Sequence, residues 1–320
     1  MTILLLRENP EALTAADWTT IGELAPDMRL IVTDDPTQIE AVLPEVEIAA
    51  GHTSPALLAR MLNLRWYQQW GAGADWLIRH PEIAARDFII TNASGVHAIQ
   101  ISEHILALLL AFARRLPQAC RAQLRGEWQR QEWEQIFELA GKTMVLIGVG
   151  AIGERTAALA AALDVRVIGV RRDPTAPAPG IARLIGPERL ADVLPEADFV
   201  VLTVPLTHNT RHMIGERELR LMKSTAHIVN IGRGGTIDEA ALIRALREGW
   251  IAGAGLDVFE KEPLPPDSPL WGMENVIITA HYAGATPNYH ERAFAIFLDN
   301  LRRYRSGEPL RNVVDKRLGY

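Results

Sequence analysis

The sequence predicts an α/β protein made of two doubly wound, parallel-sheet lobes. Three observations predict it. Short apolar runs alternate with longer amphipathic segments from end to end. The runs are rich in Val and Ile without polar alternation, as strands buried on both faces must be. The length, 320 residues, suits about two domains. Strands separated by helices need crossover connections, and hence parallel sheets covered on both faces.

In the first series the expected strands are residues 3–6, 30–33, 46–49, 64–68 and 88–91, with helical patterns such as 55–62 between them. The second series runs through 143–148, 165–170, 199–204, 227–231, 251–257 and 276–279. Helical patterns at 152–163, 188–194, 216–221 and 238–247 fill its gaps. Asp238 suits the N-cap of the last of these and Gly249 its C-terminal stop. One long helix over about 99–116 leads from the first lobe to the second. The stretch 289–305 has helical apolar spacing and is expected to return to the first lobe. Residues 173–180, rich in Pro and Ala, read as a surface loop.

A formal charge of −6 argues against sequence-independent nucleic-acid binding, which needs clustered Lys and Arg. A single cysteine, Cys120, excludes an internal disulfide and a cysteine-rich metal centre. No HExxH or clustered ligand spacing points to a metal. The first residues lack a basic leader, and the longest apolar run, 105–113, is half the roughly 20 residues a bilayer span needs. The expectation is a cytoplasmic protein with no membrane partner.

Residues 143–147 run straight into Gly148-Val149-Gly150-Ala151-Ile152-Gly153, followed by an alanine-rich helix. Gly148 suits the tight turn, Gly150 lets backbone approach a pyrophosphate, and Gly153 lets the helix approach the strand. The helix N-terminus then offers unpaired N–H groups to the phosphates. The carboxylate that accepts from the ribose 2′-hydroxyl in NAD-type loops is missing, and Arg171-Arg172-Asp173 stands at the end of the next strand. An arginine there pairs with a 2′-phosphate, so NADP(H) is expected in preference to NAD(H). As a solvated charge cluster the same residues would have no such role.

Three ionisable residues follow the C-terminal ends of successive strands of the second lobe, where doubly wound sheets place their sites. Arg233 sits in Asn230-Ile231-Gly232-Arg233-Gly234-Gly235, Glu262 just before Pro263, and His281 in Thr279-Ala280-His281-Tyr282. Singly, each also suits a surface turn, a loop start or a structural histidine. Their common position at strand ends makes them converge.

These motifs resemble the D-isomer-specific 2-hydroxyacid dehydrogenase family. The likeness covers nearly the whole chain. Gly71-Ala72-Gly73-Ala74-Asp75 resembles its substrate-carboxylate loop, and Asn92-Ala93-Ser94-Gly95-Val96 with Ser102-Glu103-His104 its interdomain segment. The glycine fingerprint, Val204-Pro205-Leu206, Asn230 through Gly235, Gly255-Leu256-Asp257-Val258 and His281 fall in the family's order. The resemblance implies a Rossmann cofactor domain over residues 96–283. A flavodoxin-like substrate domain would take 1–95 plus 284–320, with the chain crossing near 92–96 and 283–288.

It also implies roles. Arg233 would clamp the substrate carboxylate and 2-oxo oxygen, which suits a planar, permanently charged fork. His281 would be the acid–base group, and Glu262 would hydrogen-bond it, orient it and favour its charged form. Backbone N–H groups around Ala72 and Gly73 would complete the carboxylate site. Ala151, Ile152, Val204, Pro205, Thr210, Ile231 and Gly232 would line the cofactor cleft, and Asp257 would contact the nicotinamide carboxamide. The activity implied is hydride transfer between NADP(H) and C2 of a small 2-hydroxy or 2-oxo acid. Trp66, Tyr67 and Trp70 near the carboxylate loop read as a partly apolar pocket or as core. A homodimer is expected through the arm 126–133. Family members embrace the partner with this region, and Trp133 would either reach the neighbour's site or pack in its own subunit.

Two departures stand out: Ala280 replaces the family's usual proline, and Arg171 its acidic residue. The alternative class is a nicotinamide-sensing corepressor-like regulator, which would bind the cofactor without turnover. Glu262, where formate dehydrogenases have glutamine, argues against that relative.

Overall fold

Among residues 2–320, which the computed structural model describes, twelve strands form two sheets whose pairings are all parallel. The chain separates into two units. One comprises the residues up to Val96 with Pro287–Tyr320, the other His97–Thr286.

In the first unit, β1 (Ile3–Arg7), β2 (Arg29–Val32), β3 (Val46–Gly51), β4 (Trp66–Gln69) and β5 (Ile89–Thr91) lie in the order β2-β1-β3-β4-β5. Alternate residues of β1 serve opposite faces. Ile3 and Leu5 pack with Ile39, Leu58 and Ile83, while Leu4 and Leu6 pack with Phe294, Phe297 and Leu301 of the helix Tyr289–Ser306. That is why these strands carry no polar alternation: each buried Leu or Ile contributes about 1.5–3 kcal/mol on either face. The last helix thus belongs to this unit, as its spacing predicts. Trp66, Tyr67 and Trp70 are all buried in these cores, which corrects the reading of them as a pocket lining.

In the second unit, β6 (Thr143–Ile147), β7 (Arg166–Val170), β8 (Arg183–Ile185), β9 (Phe199–Leu202), β10 (His227–Asn230), β11 (Gly253–Leu256) and β12 (Val276–Ile278) take the order β12-β11-β10-β9-β6-β7-β8. The order reverses between β6 and β9, so the loops leaving those two strands splay apart at a topological switch point. Asp238 caps the helix Glu239–Glu248 by accepting from the Ala241 N–H at 3.0 Å, and Gly249 ends it in the left-handed region.

Three expectations need correction. The long helix stops at Ala113 and a second one, Leu116–Leu124, begins after Arg115, which lies at φ 56°. Pro117 has no N–H, and its ring would clash with the Ala113 carbonyl in a continuous helix. The 188–194 pattern shrinks to Leu190–Val193 between 3-10 turns, because Pro187 and Pro195 bracket it. The edge strand β8 is an addition. No helix among the described residues is long and apolar enough to cross a membrane.

Candidate active site

The glycine turn leaves β6 at the switch point. Gly148 lies at φ +102°, and a Cβ there would come within 2.7 Å of Thr203 Oγ1. A Cβ on Gly153 would meet the Gly148 carbonyl at 2.2 Å, so the helix Ala151–Ala161 can seat only with glycine there. Around Gly150, by contrast, an added Cβ meets nothing within 4 Å. The turn is therefore closed on the protein side and open at the helix N-terminus, which fits a pyrophosphate held by backbone N–H groups. Across the switch point, Thr203 Oγ1 donates to the Gly148 carbonyl at 2.7 Å. Thr210 Oγ1 donates to the Pro205 carbonyl at 2.6 Å, so its hydroxyl shapes the loop that Val204 and Pro205 begin. Ile231 is buried and offers only its backbone to the strand end.

Arg171 follows β7 as expected. Its guanidinium is turned onto its own loop, donating from Nε to the Asp173 carbonyl at 2.6 Å and from Nη2 to that of Ala176. Asp173 accepts from the Thr175 N–H and hydroxyl, and those two bonds hold its carboxyl below the usual range. Asp173 is thus occupied within the turn.

Arg233 stands between two glycines that permit close approach. A Cβ on Gly232 would lie 2.6 Å from the Val204 carbonyl oxygen, and one on Gly234 would overlap the Phe259 backbone. The loops after β9, β10 and β11 are therefore in mutual contact at Arg233. Its carbonyl accepts from Asn230 Nδ2 at 3.0 Å and from Thr236 Oγ1 at 2.7 Å, which fixes the backbone.

His281 Nδ1 lies 2.7 Å from Glu262 Oε2. A carboxylate only accepts, so Nδ1 carries the hydrogen and Nε2 faces away from Glu262. The other oxygen, Glu262 Oε1, accepts from the Phe259 N–H at 3.0 Å, so both carboxylate oxygens are oriented. Half of the His281 side-chain surface is exposed, leaving the ring accessible. Its backbone is left-handed at φ 54°.

Asp257 holds that strained loop. Only 1% exposed, its carboxylate accepts from Thr279 Oγ1 at 2.6 Å and from the N–H groups of Tyr282 and Ala283. Its carbonyl accepts the His281 N–H at 2.9 Å. With the Thr279 hydroxyl hydrogen given to Asp257, His104 Nε2, 3.1 Å away, must be the donor to Thr279. Burial holds His104 below the usual histidine range despite the Asp257 charge. His97 is held low in the same direction, first by burial and further by the Arg233 charge, against a hydrogen bond to the Gly284 backbone. Sequence reasoning missed His97, whose charge Arg233 opposes, and it missed the anchoring function of His104 and Asp257.

In the first unit, Ala72 and Gly73 leave the C-terminal end of β4 as expected, half-buried. Asn92 Nδ2 donates to the Ala72 carbonyl at 2.7 Å.

Residues 106–283 match the family model described as D-isomer specific 2-hydroxyacid dehydrogenase, NAD binding domain. A glyoxylate reductase of Korarchaeum cryptofilum is 39% identical over 261 residues, 79% of this chain and 77% of that protein. Among solved structures, a D-isomer specific 2-hydroxyacid dehydrogenase from Xanthobacter autotrophicus Py2, in complex with NADPH and MES, is similar at a TM-score of 0.82 and 31% identity. That match covers 100% of this chain and 99% of the other. An NADPH-dependent glyoxylate/hydroxypyruvate reductase from Sinorhizobium meliloti, in complex with NADP and sulfate, gives a TM-score of 0.84 at 27% identity over the whole of both chains. This chain belongs to the D-isomer specific 2-hydroxyacid dehydrogenase family and is an NAD(P)-dependent oxidoreductase.

Proposed function

We propose that the chain reduces small 2-oxo acids of the glyoxylate type to D-2-hydroxy acids, with NADPH as the preferred cofactor. The observation that carries this is the 2.7 Å His281–Glu262 pair, with its second carboxylate oxygen tied by Phe259, on the same sheet edge as Arg233 and the open turn at Gly150. The nicotinamide, when bound, supplies or accepts the hydride. His281 Nε2 gives a proton to the 2-oxo oxygen in reduction and takes it back in oxidation. Glu262 fixes the ring through the Nδ1 hydrogen. Arg233 binds the carboxylate and oxo group through its fork, and the N–H groups around Ala72 and Gly73 are read as a carboxylate-binding loop. A spectrophotometric screen of 2-oxo acids with NADPH and NADH tests the reading. Tight NADPH binding with negligible oxidation by every acid would make the chain a sensor.

The cofactor preference rests on Arg171 and Arg172, and two solved relatives carry NADPH or NADP. Arg171 already donates to two loop carbonyls. In this reading a 2′-phosphate meets a guanidinium whose position is set in advance. A charge-assisted bond to phosphate contributes about 1.5–3 kcal/mol when shielded, less at this partly exposed site. Arg171→Asp is expected to move the NADPH/NADH ratio of kcat/KM towards NADH by about tenfold, or roughly 1.4 kcal/mol. A wild type that already prefers NADH contradicts the assignment.

The expected homodimer is supported by the arm after the helix Leu116–Leu124. Trp128 is 92% exposed and Trp133 88% in the single chain, a pattern typical of interface anchors. Trp133 is exposed in the single chain, which favours the reading in which it reaches the neighbour's site over packing in its own subunit. Light scattering at micromolar concentration is expected to give twice the chain mass. Trp133→Ala is expected to change the substrate profile, and an unchanged profile removes the trans contact.

A further inference from the structure

Strand β4 ends in two buried glutamines, Gln68 and Gln69. Gln68 is used inside the core, where its Oε1 accepts from Thr91 Oγ1 and Asn300 Nδ2. Gln69 turns instead to the loop that follows. Its Nε2 donates to the carbonyl of Gly71 at 2.9 Å and to that of Gly73 at 2.6 Å. Its Oε1 accepts from Trp76 Nε1 at 2.7 Å. An indole N–H can only donate, so Oε1 must face Trp76 and both amide hydrogens must face the two carbonyls. The carbonyl between them, Ala72, accepts from Asn92 Nδ2, and Asn92 is itself oriented by the Ser94 N–H at 3.0 Å.

Three consecutive carbonyls are thus drawn onto protein donors. Across a planar trans peptide the next N–H points the opposite way. The N–H groups of Ala72, Gly73 and Ala74 are therefore turned away from Gln69 and Asn92. None of the three has an acceptor among the described residues. Backbone N–H groups fixed in place without an internal acceptor are available to an anion. The side-chain alternatives would not hold it: leucine has no donor, and glutamate would set acceptors against acceptors.

We propose that Gln69, anchored by Trp76, is a positioning residue whose amide holds the 72–74 N–H groups in the arrangement that receives the substrate carboxylate. This rests on the reading of the 71–73 loop as the carboxylate site. Its signature is a split between kinetic constants. Loss of positioning weakens acid binding, whereas partial misfolding lowers kcat in proportion to the inactive fraction and leaves KM alone.

The experiment measures KM and kcat for glyoxylate at saturating NADPH, together with the NADPH Kd, in Gln69→Leu, Trp76→Phe and Ala72→Pro. In Gln69→Leu, KM is expected to rise by about tenfold or more while kcat falls less than about threefold and the NADPH Kd holds. Trp76→Phe keeps an aromatic ring but loses the anchoring indole N–H and part of the bulk, so it should shift KM in the same direction by less, and it carries the test if Gln69→Leu does not fold. Ala72→Pro deletes one of the three donors outright and should also raise KM. An unchanged KM in Gln69→Leu and Trp76→Phe, beside a raised KM in Ala72→Pro, overturns the role of Gln69 alone. An unchanged KM in Ala72→Pro overturns the carboxylate loop itself, and the positioning role with it.

Discussion

His281→Ala is expected to lower kcat by about 10²–10⁴-fold, the usual contribution of a general acid–base group. NADPH affinity should stay near wild type, because the glycine turn that fits the pyrophosphate follows a different strand, β6. His281 sits in the left-handed region at φ 54°, where alanine is strained. His281→Asn is the better control, since asparagine tolerates that backbone more readily than alanine. Both variants should lose turnover alike if the imidazole does the work. A loss in the alanine variant alone would trace the effect to the backbone, and near-normal turnover in both would remove His281 from the mechanism. Glu262→Gln should fall between wild type and His281→Ala. An amide can accept from His281 or from Phe259 through its one oxygen, but it then turns its own N–H groups on the other donor.

Arg233→Ala is expected to raise KM and lower kcat together, because in the proposed mechanism the same fork meets the ground-state carboxylate and the developing alkoxide. Two charge-assisted bonds of about 1.5–3 kcal/mol each correspond to a loss of roughly 10²–10⁴ in kcat/KM. Arg233→Lys keeps the charge and loses the planar fork, so it should recover only part of that loss. The informative comparison is a 2-oxo acid against its neutral amide. In the alanine variant the preference for the acid should collapse. A constant ratio would show that Arg233 supports the loop without binding the substrate's charge. Such a role has a structural basis, since Gly232 and Gly234 seat this loop against the Val204 and Phe259 backbones.

Most of the architecture was legible because two physical signals repeat. Strands buried on both faces must be continuous Val/Ile/Leu runs, and residues 144–147 and 199–202 show no polar interruption. Ionisable residues directly after such runs lie on one sheet edge by topology alone, which brings Arg233, Glu262 and His281 together. The misses have physical causes as well. Apolar periodicity continues through Leu116, so only the proline at 117 hinted that the helix must stop. Strand β8 has three residues, too few for any period. Trp66, Tyr67 and Trp70 suit a pocket lining as well as a core by sequence, because aromatic residues beside a glycine loop look alike whether they face a ligand or the core. Gln69, Asn92 and His104 act through single hydrogen bonds to loops, which leave no periodic trace. The one available signal was a pair of glutamines closing an otherwise apolar strand.

The Asp257 carboxylate gives the loop of His281 an unusual kind of independence. One buried acceptor, placed by β11, holds Thr279, Tyr282 and Ala283 from beneath, and its carbonyl takes the histidine's own N–H. The shape of the loop is thereby dictated by a neighbouring strand and owes little to the stiffness of its own residues. Alanine at position 280 is then no loss: the rigidity that a proline supplies along the chain is supplied here across it. Loop geometry is thereby tied less to the residues that flank His281 than to the aspartate beneath them.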